Sequence, residues 1–148
     1  MTNTVARLKS SRTITLGSEK VPSITADEVL LRITRVGVCG SDVHRFRGMT
    51  LGGESNAGLV LGHEISAEIA AVGDHVRNLT VGQPVAVDAA LPCHRCEWCE
   101  RGFYNLCPNV KFCGVPPTDG ALRHFMSWPA TACHPLPPDL TADDGVLA

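Results

Sequence analysis

Four cysteines lie in one short stretch of the chain with the spacing C-x2-C-x2-C-x7-C: Cys93, Cys96, Cys99 and Cys107. Four thiolates this close in sequence can surround a single tetrahedral ion. Zn²⁺ is the expected occupant, because it accepts four sulfur ligands without redox chemistry. A four-sulfur site leaves no coordination position for a substrate. The pattern therefore predicts a structural zinc lobe over about residues 92–108, with any catalysis elsewhere.

Three other interpretations of the cysteines remain open. The chain has seven cysteines, an odd count for disulfides, and residues 1–18 lack the apolar core of a secretory signal. We therefore expect a reducing, cytoplasmic location, where C-x2-C pairs are more often metal sites. An iron–sulfur cluster is suggested by Cys107-Pro108, but the ferredoxin run has three residues before its last cysteine. Unconnected buried thiols are the third alternative. The spacing favours zinc over all three.

A second group of metal-binding side chains stands upstream. Cys39 lies in G-V-C-G-S-D-V-H, and His63 and Glu64 lie in L-G-H-E. A sulfur, a nitrogen and an oxygen ligand with one open position describe a catalytic zinc. Asp42 could accept the second N–H of His63 and fix the tautomer of the ring. On spacing alone, a small buried cysteine and a loop His-Glu pair remain alternatives.

Short strands must position both groups. Alternating and β-branched residues predict strands, and turn residues separate them. The predicted strands are 29–36, 65–72, 84–89 and 122–128, with an extended segment at 133–138. A short helix or turn is expected over 38–47 and a surface loop over 50–58. Many short strands separated by turns favour a β-barrel or a β-sandwich over a parallel sheet.

The last residues predict the start of a helix. Thr141 has an acidic residue, Asp144, three positions later, which is the signature of a capping box. Because the chain stops at Ala148, we expect it to be cut at the beginning of an element. No G-x-G-x-x-G motif follows a predicted strand in these residues. A nucleotide-binding Rossmann domain is therefore expected to be absent from this chain.

The charge balance excludes some partners. The formal net charge is -2, which gives no electrostatic reason to expect nucleic acid or an anionic membrane as a partner. No apolar stretch approaches the roughly 20 residues of a membrane span. We expect a small-molecule substrate, and the sequence leaves a homo-oligomer open.

The ordered motifs resemble a known family. G-V-C-G-S-D-V-H, L-G-H-E, P-C-H-R-C-E-W-C-x7-C-P and F-C-G-V-P-P-T-D-G occur in the order of the zinc-dependent medium-chain dehydrogenases. The chain is most similar to their polyol branch, the sorbitol, xylitol and L-arabinitol dehydrogenases, over roughly residues 29–148. This resemblance implies a mainly β, GroES-like barrel with short helices and a zinc lobe, occupying residues 1–148 as the catalytic domain.

The resemblance also implies roles for individual residues. Cys39 and His63 correspond to ligands of a catalytic zinc, and Glu64 to a ligand or a residue just beyond the ligands. The cysteine tetrad corresponds to the ligands of a structural zinc. Ser41 and His44 correspond to a hydroxyl and an imidazole that relay a proton. Phe112 corresponds to a wall of the polyol pocket.

In that family the barrel pairs with a Rossmann domain that binds NAD or NADP, and a secondary alcohol is oxidised to a ketone. The cofactor is expected here only together with the missing domain. A further glutamate of the polyol branch would fall at or just past Ala148. We therefore expect the isolated chain to be inactive. The alternative is a non-catalytic zinc-binding module that acts through a protein partner.

Overall fold

The computed structural model describes residues 2–50 and 55–147. The strands are β1 (Thr2–Ser10), β2 (Thr13–Lys20), β3 (Glu28–Gly37), β4 (Glu64–Val72), β5 (Pro84–Val87), β6 (Ala90–Leu91), β7 (Lys111–Phe112), β8 (Phe125–Pro129) and β9 (Cys133–Pro135). The α-helices are α1 (Gly40–Phe46), α2 (Glu97–Glu100) and α3 (Ala142–Gly145). Two 3-10 helices span Tyr104–Leu106 and Ala130–Ala132. Among these elements, no helix is long and apolar enough to span a membrane.

The central sheet has five antiparallel strands in the order β8-β3-β4-β5-β9. Its inward-facing side chains include Val29 and Leu31 of β3 and Ile65 and Ile69 of β4, all of which are buried. Each pair stands on one face of its strand, because side chains alternate between the faces of a sheet. The strands predicted over 29–36 and 65–72 are thereby confirmed, and they form the middle of the sheet.

The N-terminal hairpin was not predicted. β1 pairs with β2, and β1 also contacts the segment before β8, where Ala6 N–H donates to Leu122 O. The Asn3 side chain donates to Phe125 O and accepts from Phe125 N–H, both at 2.9 Å. β2 is almost wholly exposed, so its sequence carries little of the apolar alternation that marks a half-buried strand.

The other predicted elements are largely confirmed. Residues 38–47 contain α1, and Thr141 caps α3 through the expected reciprocal contacts with Asp144. The strand predicted at 84–89 appears as β5, which ends two residues earlier, and the strand predicted at 122–128 appears as β8, which begins three residues later and ends one residue later. The predicted loop 50–58 lies partly outside the described residues, and within it Asn56 is buried and hydrogen-bonded to Arg45.

We expect Asn3→Ala to lower the free energy of unfolding by about 1–3 kcal/mol, because it leaves a backbone N–H and a backbone C=O of Phe125 without partners. Asn3 is 1% exposed, so its replacement opens no easy path for water. Chemical denaturation measures the change. The control is Asn78→Ala at an exposed position. Equal effects of the two variants would contradict the role of Asn3 in attaching the hairpin.

Candidate metal centres

The pairing of β3 with β4 brings the open cluster together. In this register Gly37, the last residue of β3, lies opposite Glu64, the first residue of β4. Cys39 follows two residues after Gly37 and forms the N-cap of α1. His63 immediately precedes Glu64. The sheet therefore places three ligand-type side chains at one end of two neighbouring strands, although 24 positions separate Cys39 from His63.

The ligand atoms of Cys39, His63 and Glu64 all lie within 4.8 Å of one another, and the three residues are half-buried. Ligands at about 2.0–2.3 Å from a tetrahedral zinc ion are separated by about 3.3–3.8 Å, so the cluster needs only small movements to hold such an ion. A thiolate, an imidazole and a carboxylate suit Zn²⁺ chemically. Three ligands also leave one position open for a further ligand.

Asp42 lies beside this cluster, but its contacts differ from the predicted ones. Its carboxylate is 3.7 Å from His63 Nδ1, which is longer than a hydrogen bond. It instead accepts the N–H of Cys39 at 3.1 Å and the N–H of Gly62 at 3.0 Å. The predicted role of Asp42 in fixing the histidine tautomer stays a prediction. The contacts of Asp42 fix the backbone beside two of the candidate ligands.

The remaining predicted site residues lie on α1 and β7. Ser41 and His44 lie on α1, three residues apart, and both are exposed. Residues at this spacing are neighbours on a helix surface. Phe112 is held in β7 opposite Ala90, and its ring meets the ring of His63 edge-on, with the centroids 5.4 Å apart. Phe112 thus forms a wall against the candidate ligand.

A cleft of about 700 Å³ opens beside Phe112. Several polar side chains line it, among them His94, Tyr104, Asn105, Thr131 and His134. These residues come from the cysteine lobe and from the segment at the β9 edge of the sheet. Because they are far apart in the sequence, their positions did not indicate a shared cleft. The cleft offers hydrogen-bonding groups next to the candidate metal site.

The cysteine tetrad forms a second, closed cluster. Its four sulfur atoms lie within 4.8 Å of one another, with Cys96 Sγ 3.4 Å from Cys99 Sγ. Sulfur atoms around a tetrahedral zinc would be about 3.8 Å apart. Cys99 and Cys107 are buried. The four donors fit one zinc ion and leave no position for a substrate.

The thiols of the tetrad do not ionise alike. The backbone N–H of Arg95 donates to Cys93 and, with contacts to neighbouring cysteines, lowers the pKa of Cys93 to about 6. Burial raises the pKa of Cys99 to about 12, and Cys96 adds to this shift. A buried thiolate beside other thiolates needs a cation. A bound divalent zinc ion would stabilise all four in the thiolate form.

The last two cysteines lie outside both clusters. Cys113 is 0% exposed and Cys133 is 3% exposed. Burial raises the pKa of each thiol to about 12. Both are therefore inert packing residues.

The profile of the family described as "Alcohol dehydrogenase GroES-like domain" matches residues 25–138. The chain belongs to this family. A sorbitol dehydrogenase of Bacillus subtilis is 38% identical over 154 residues, which cover 99% of this chain and 44% of the relative. An L-idonate 5-dehydrogenase of Vitis vinifera is 37% identical, over 98% of this chain and 40% of its own length.

Solved structures show the same fold. A crystal structure of an Escherichia coli oxidoreductase/dehydrogenase of unknown specificity superposes with a TM-score of 0.94 at 36% identity, covering 99% of this chain and 43% of that one. The expected mainly β, GroES-like fold and the membership in the zinc-dependent dehydrogenases are confirmed. Zinc and NAD(P) are the cofactors expected for this family. This GroES-like domain spans less than half the length of these relatives.

We expect Gly37→Ala to weaken metal binding at the open cluster. A Cβ at this position would lie 2.2 Å from Glu64 Oε2 and 2.9 Å from Glu64 Cβ, so the carboxylate would have to leave its place beside Cys39. Competition with a chelator measures the affinity of each metal equivalent. Gly40→Ala is the matched control, because nothing lies within 4 Å of its added Cβ. Unchanged binding in Gly37→Ala would contradict the predicted role of Glu64.

We expect Cys107→Ser to remove one zinc equivalent and to expose the segment between Cys93 and Cys107 to proteolysis. A serine hydroxyl does not replace a thiolate as a zinc ligand. The core cluster contains none of the four cysteines, so circular dichroism should still report the sheet. Cys39→Ser should also lose one equivalent, but without new cleavage in the lobe. Identical cleavage in both variants would argue against two separate sites.

Proposed function

We propose that this domain is the catalytic portion of a zinc-dependent polyol dehydrogenase. In this reaction a secondary hydroxyl of a sugar alcohol becomes a ketone while NAD(P)⁺ becomes NAD(P)H. The observation that carries the proposal is the convergence of Cys39, His63 and Glu64 within 4.8 Å. A closed cluster alone would indicate only a structural metal. Three converging ligands with an open position are what alcohol chemistry requires.

Each candidate residue has a separate role in the proposed reaction. Cys39, His63 and Glu64 would hold a zinc ion, which when bound would supply the Lewis acidity that lowers the pKa of an alcohol. Ser41 and His44 pass the hydroxyl proton to solvent, since both are exposed on the same helix. A bound NAD(P)⁺ would accept the carbinol hydrogen with its electron pair, which would leave the carbinol carbon as a ketone carbon.

A polyol suits the surroundings of the cluster. Phe112 packs against His63 and supplies an apolar wall for the carbon chain. The adjoining cleft contains imidazole, phenol and amide groups, which can hydrogen-bond further hydroxyls of an extended substrate. The names of the Bacillus and Vitis relatives also point to substrates with several hydroxyl groups. Among the described residues, the two metal clusters favour this function over a purely protein-binding module.

Other parts of the proposal concern the whole protein. NAD(P) would bind between this domain and a Rossmann domain, so the 148-residue chain by itself should not turn over. A cytoplasmic location accords with seven cysteines kept as thiols and metal ligands. Assembly into a homo-oligomer remains part of this proposal.

A kinetic panel tests the proposal. The chain is joined to the nucleotide-binding part of the Bacillus sorbitol dehydrogenase and assayed with sorbitol, xylitol and ethanol by nicotinamide reduction. We expect a higher kcat/KM for the polyols than for ethanol and no turnover by the chain alone. Phe112→Ala should raise KM for the polyols more than it lowers kcat. Preference for ethanol would refute the polyol assignment, and turnover by the chain alone would refute the need for a second domain.

A matched variant separates catalysis from folding in this assay. Cys39→Ser removes one candidate ligand at the N-cap of α1 and leaves the tetrad intact. The fusion carrying it should keep its thermal transition and lose polyol oxidation. A fusion that retains one metal equivalent and no activity even with Cys39 present would favour the non-catalytic zinc module.

A further inference from the structure

Asp119 connects three distant parts of the chain. Its carboxylate accepts the backbone N–H of Val60 at 3.0 Å. It also forms ion pairs with Arg123 at 2.8 Å and with Arg7 at 3.0 Å. Arg7 comes from β1, and Arg123 lies in the segment before β8. One carboxylate therefore fixes the backbone three residues before His63 to β1 and to the segment before β8, neither of which carries a candidate metal ligand.

The backbone beside Asp119 continues this attachment. Gly120 N–H donates to Val60 O at 2.7 Å, Ala121 N–H to Gly62 O at 2.9 Å, and Leu122 N–H to Leu61 O at 3.0 Å. Segment 119–122 thus lies along 60–62 and satisfies its carbonyl groups. On the other side, the N–H of Gly62 is bound by Asp42. The turn that leads into the candidate ligand His63 is held from both sides.

The contact has the character of a positioning device. Val60 is 0% exposed and Leu61 is 3% exposed, so this backbone cannot exchange its partners for water. Arg7 also forms an ion pair with Glu19 of the hairpin. Asp119 pairs with the guanidinium groups of both Arg7 and Arg123 and also accepts the N–H of Val60 in the turn. Removing this carboxylate would leave the buried amide of Val60 unpaired and Arg123 without its ion-pair partner, while Arg7 would keep Glu19. The turn would then lose its fixed distance from Cys39.

We propose that Asp119 is a positioning residue for the open metal cluster, acting through the backbone of residues 60–62 on His63 and Glu64. This inference rests on the proposed metal site at Cys39, His63 and Glu64. Asp119 does not contact any of the ligand atoms. Its effect is on how closely the ligands are held in the arrangement that a metal ion requires. Positioning groups outside the ligand shell commonly change metal affinity by about 10–100-fold.

Titration of the full chain with Co²⁺ tests this role, because the absorption bands of a four-thiolate site differ from those of a site with one thiolate. Wild type should bind two equivalents. Asp119→Ala should bind the tetrad equivalent normally and the second about 10-fold or more weakly. Asp119→Asn keeps an acceptor for Val60 N–H but loses the charge, so its loss should be smaller.

Glu68→Gln is the matched control. It also removes one carboxylate and one ion pair, that with Arg32, and it lies on β4 together with Glu64. It does not touch residues 60–62, so both Co²⁺ affinities should stay at the wild-type values. The melting temperature of each variant is recorded in parallel, since a purely structural ion cluster would lower it without changing one site selectively.

Each outcome decides the question. Two wild-type equivalents and unchanged affinities in both Asp119 variants would overturn the positioning role while leaving the proposed function intact. A single wild-type equivalent, at the tetrad, would refute the open metal site and this inference with it. Loss of both equivalents in both Asp119 variants would make Asp119 a general folding residue and would also overturn the proposal. Selective loss at the open cluster, absent from Glu68→Gln, supports it.

Discussion

The buried carboxylate of Asp42 is the constraint on which the open cluster depends. Asp42 is 5% exposed, so its charge must be stabilised by hydrogen bonds from the protein. The N–H groups of Cys39 and Gly62 provide them. The turn at Gly62 adopts a φ of +91° and leaves no room for a Cβ beside Val36. The carboxylate and the glycine together set the course of the backbone into His63.

The two metal clusters depend on the fold in different ways, and Phe112 connects them. The tetrad is local, and its ends are closed by the pairing of β6 with β7. The open cluster is built on the pairing of β3 with β4. Phe112 lies in β7 and contacts His63. A metal ion bound to the tetrad would therefore also help to fix Phe112, the wall of the proposed substrate site.

Much of the fold could be predicted where one face of a strand is buried. β3 buries Val29 and Leu31 at alternate positions and β4 buries Ile65 and Ile69, and the cap of α3 was visible in Thr141 and Asp144. The β1–β2 hairpin could not be predicted, because β2 is almost wholly exposed. β1 is held by contacts with residues more than 100 positions away, such as that of Asn3 with Phe125. No local pattern records such a contact.

The sequence by itself determined the ligand types of both clusters and the geometry of the tetrad, because four cysteines within 15 positions need only a short loop to meet. The tertiary structure decided which distant residues surround the open cluster. It brought the Asp42 carboxylate to the backbone amides of Cys39 and Gly62, and it brought Asp119 to Val60. A buried polar side chain forms hydrogen bonds with the buried donors and acceptors that would otherwise lack a partner. Which groups are buried is decided only when the sheet and the hairpin have assembled.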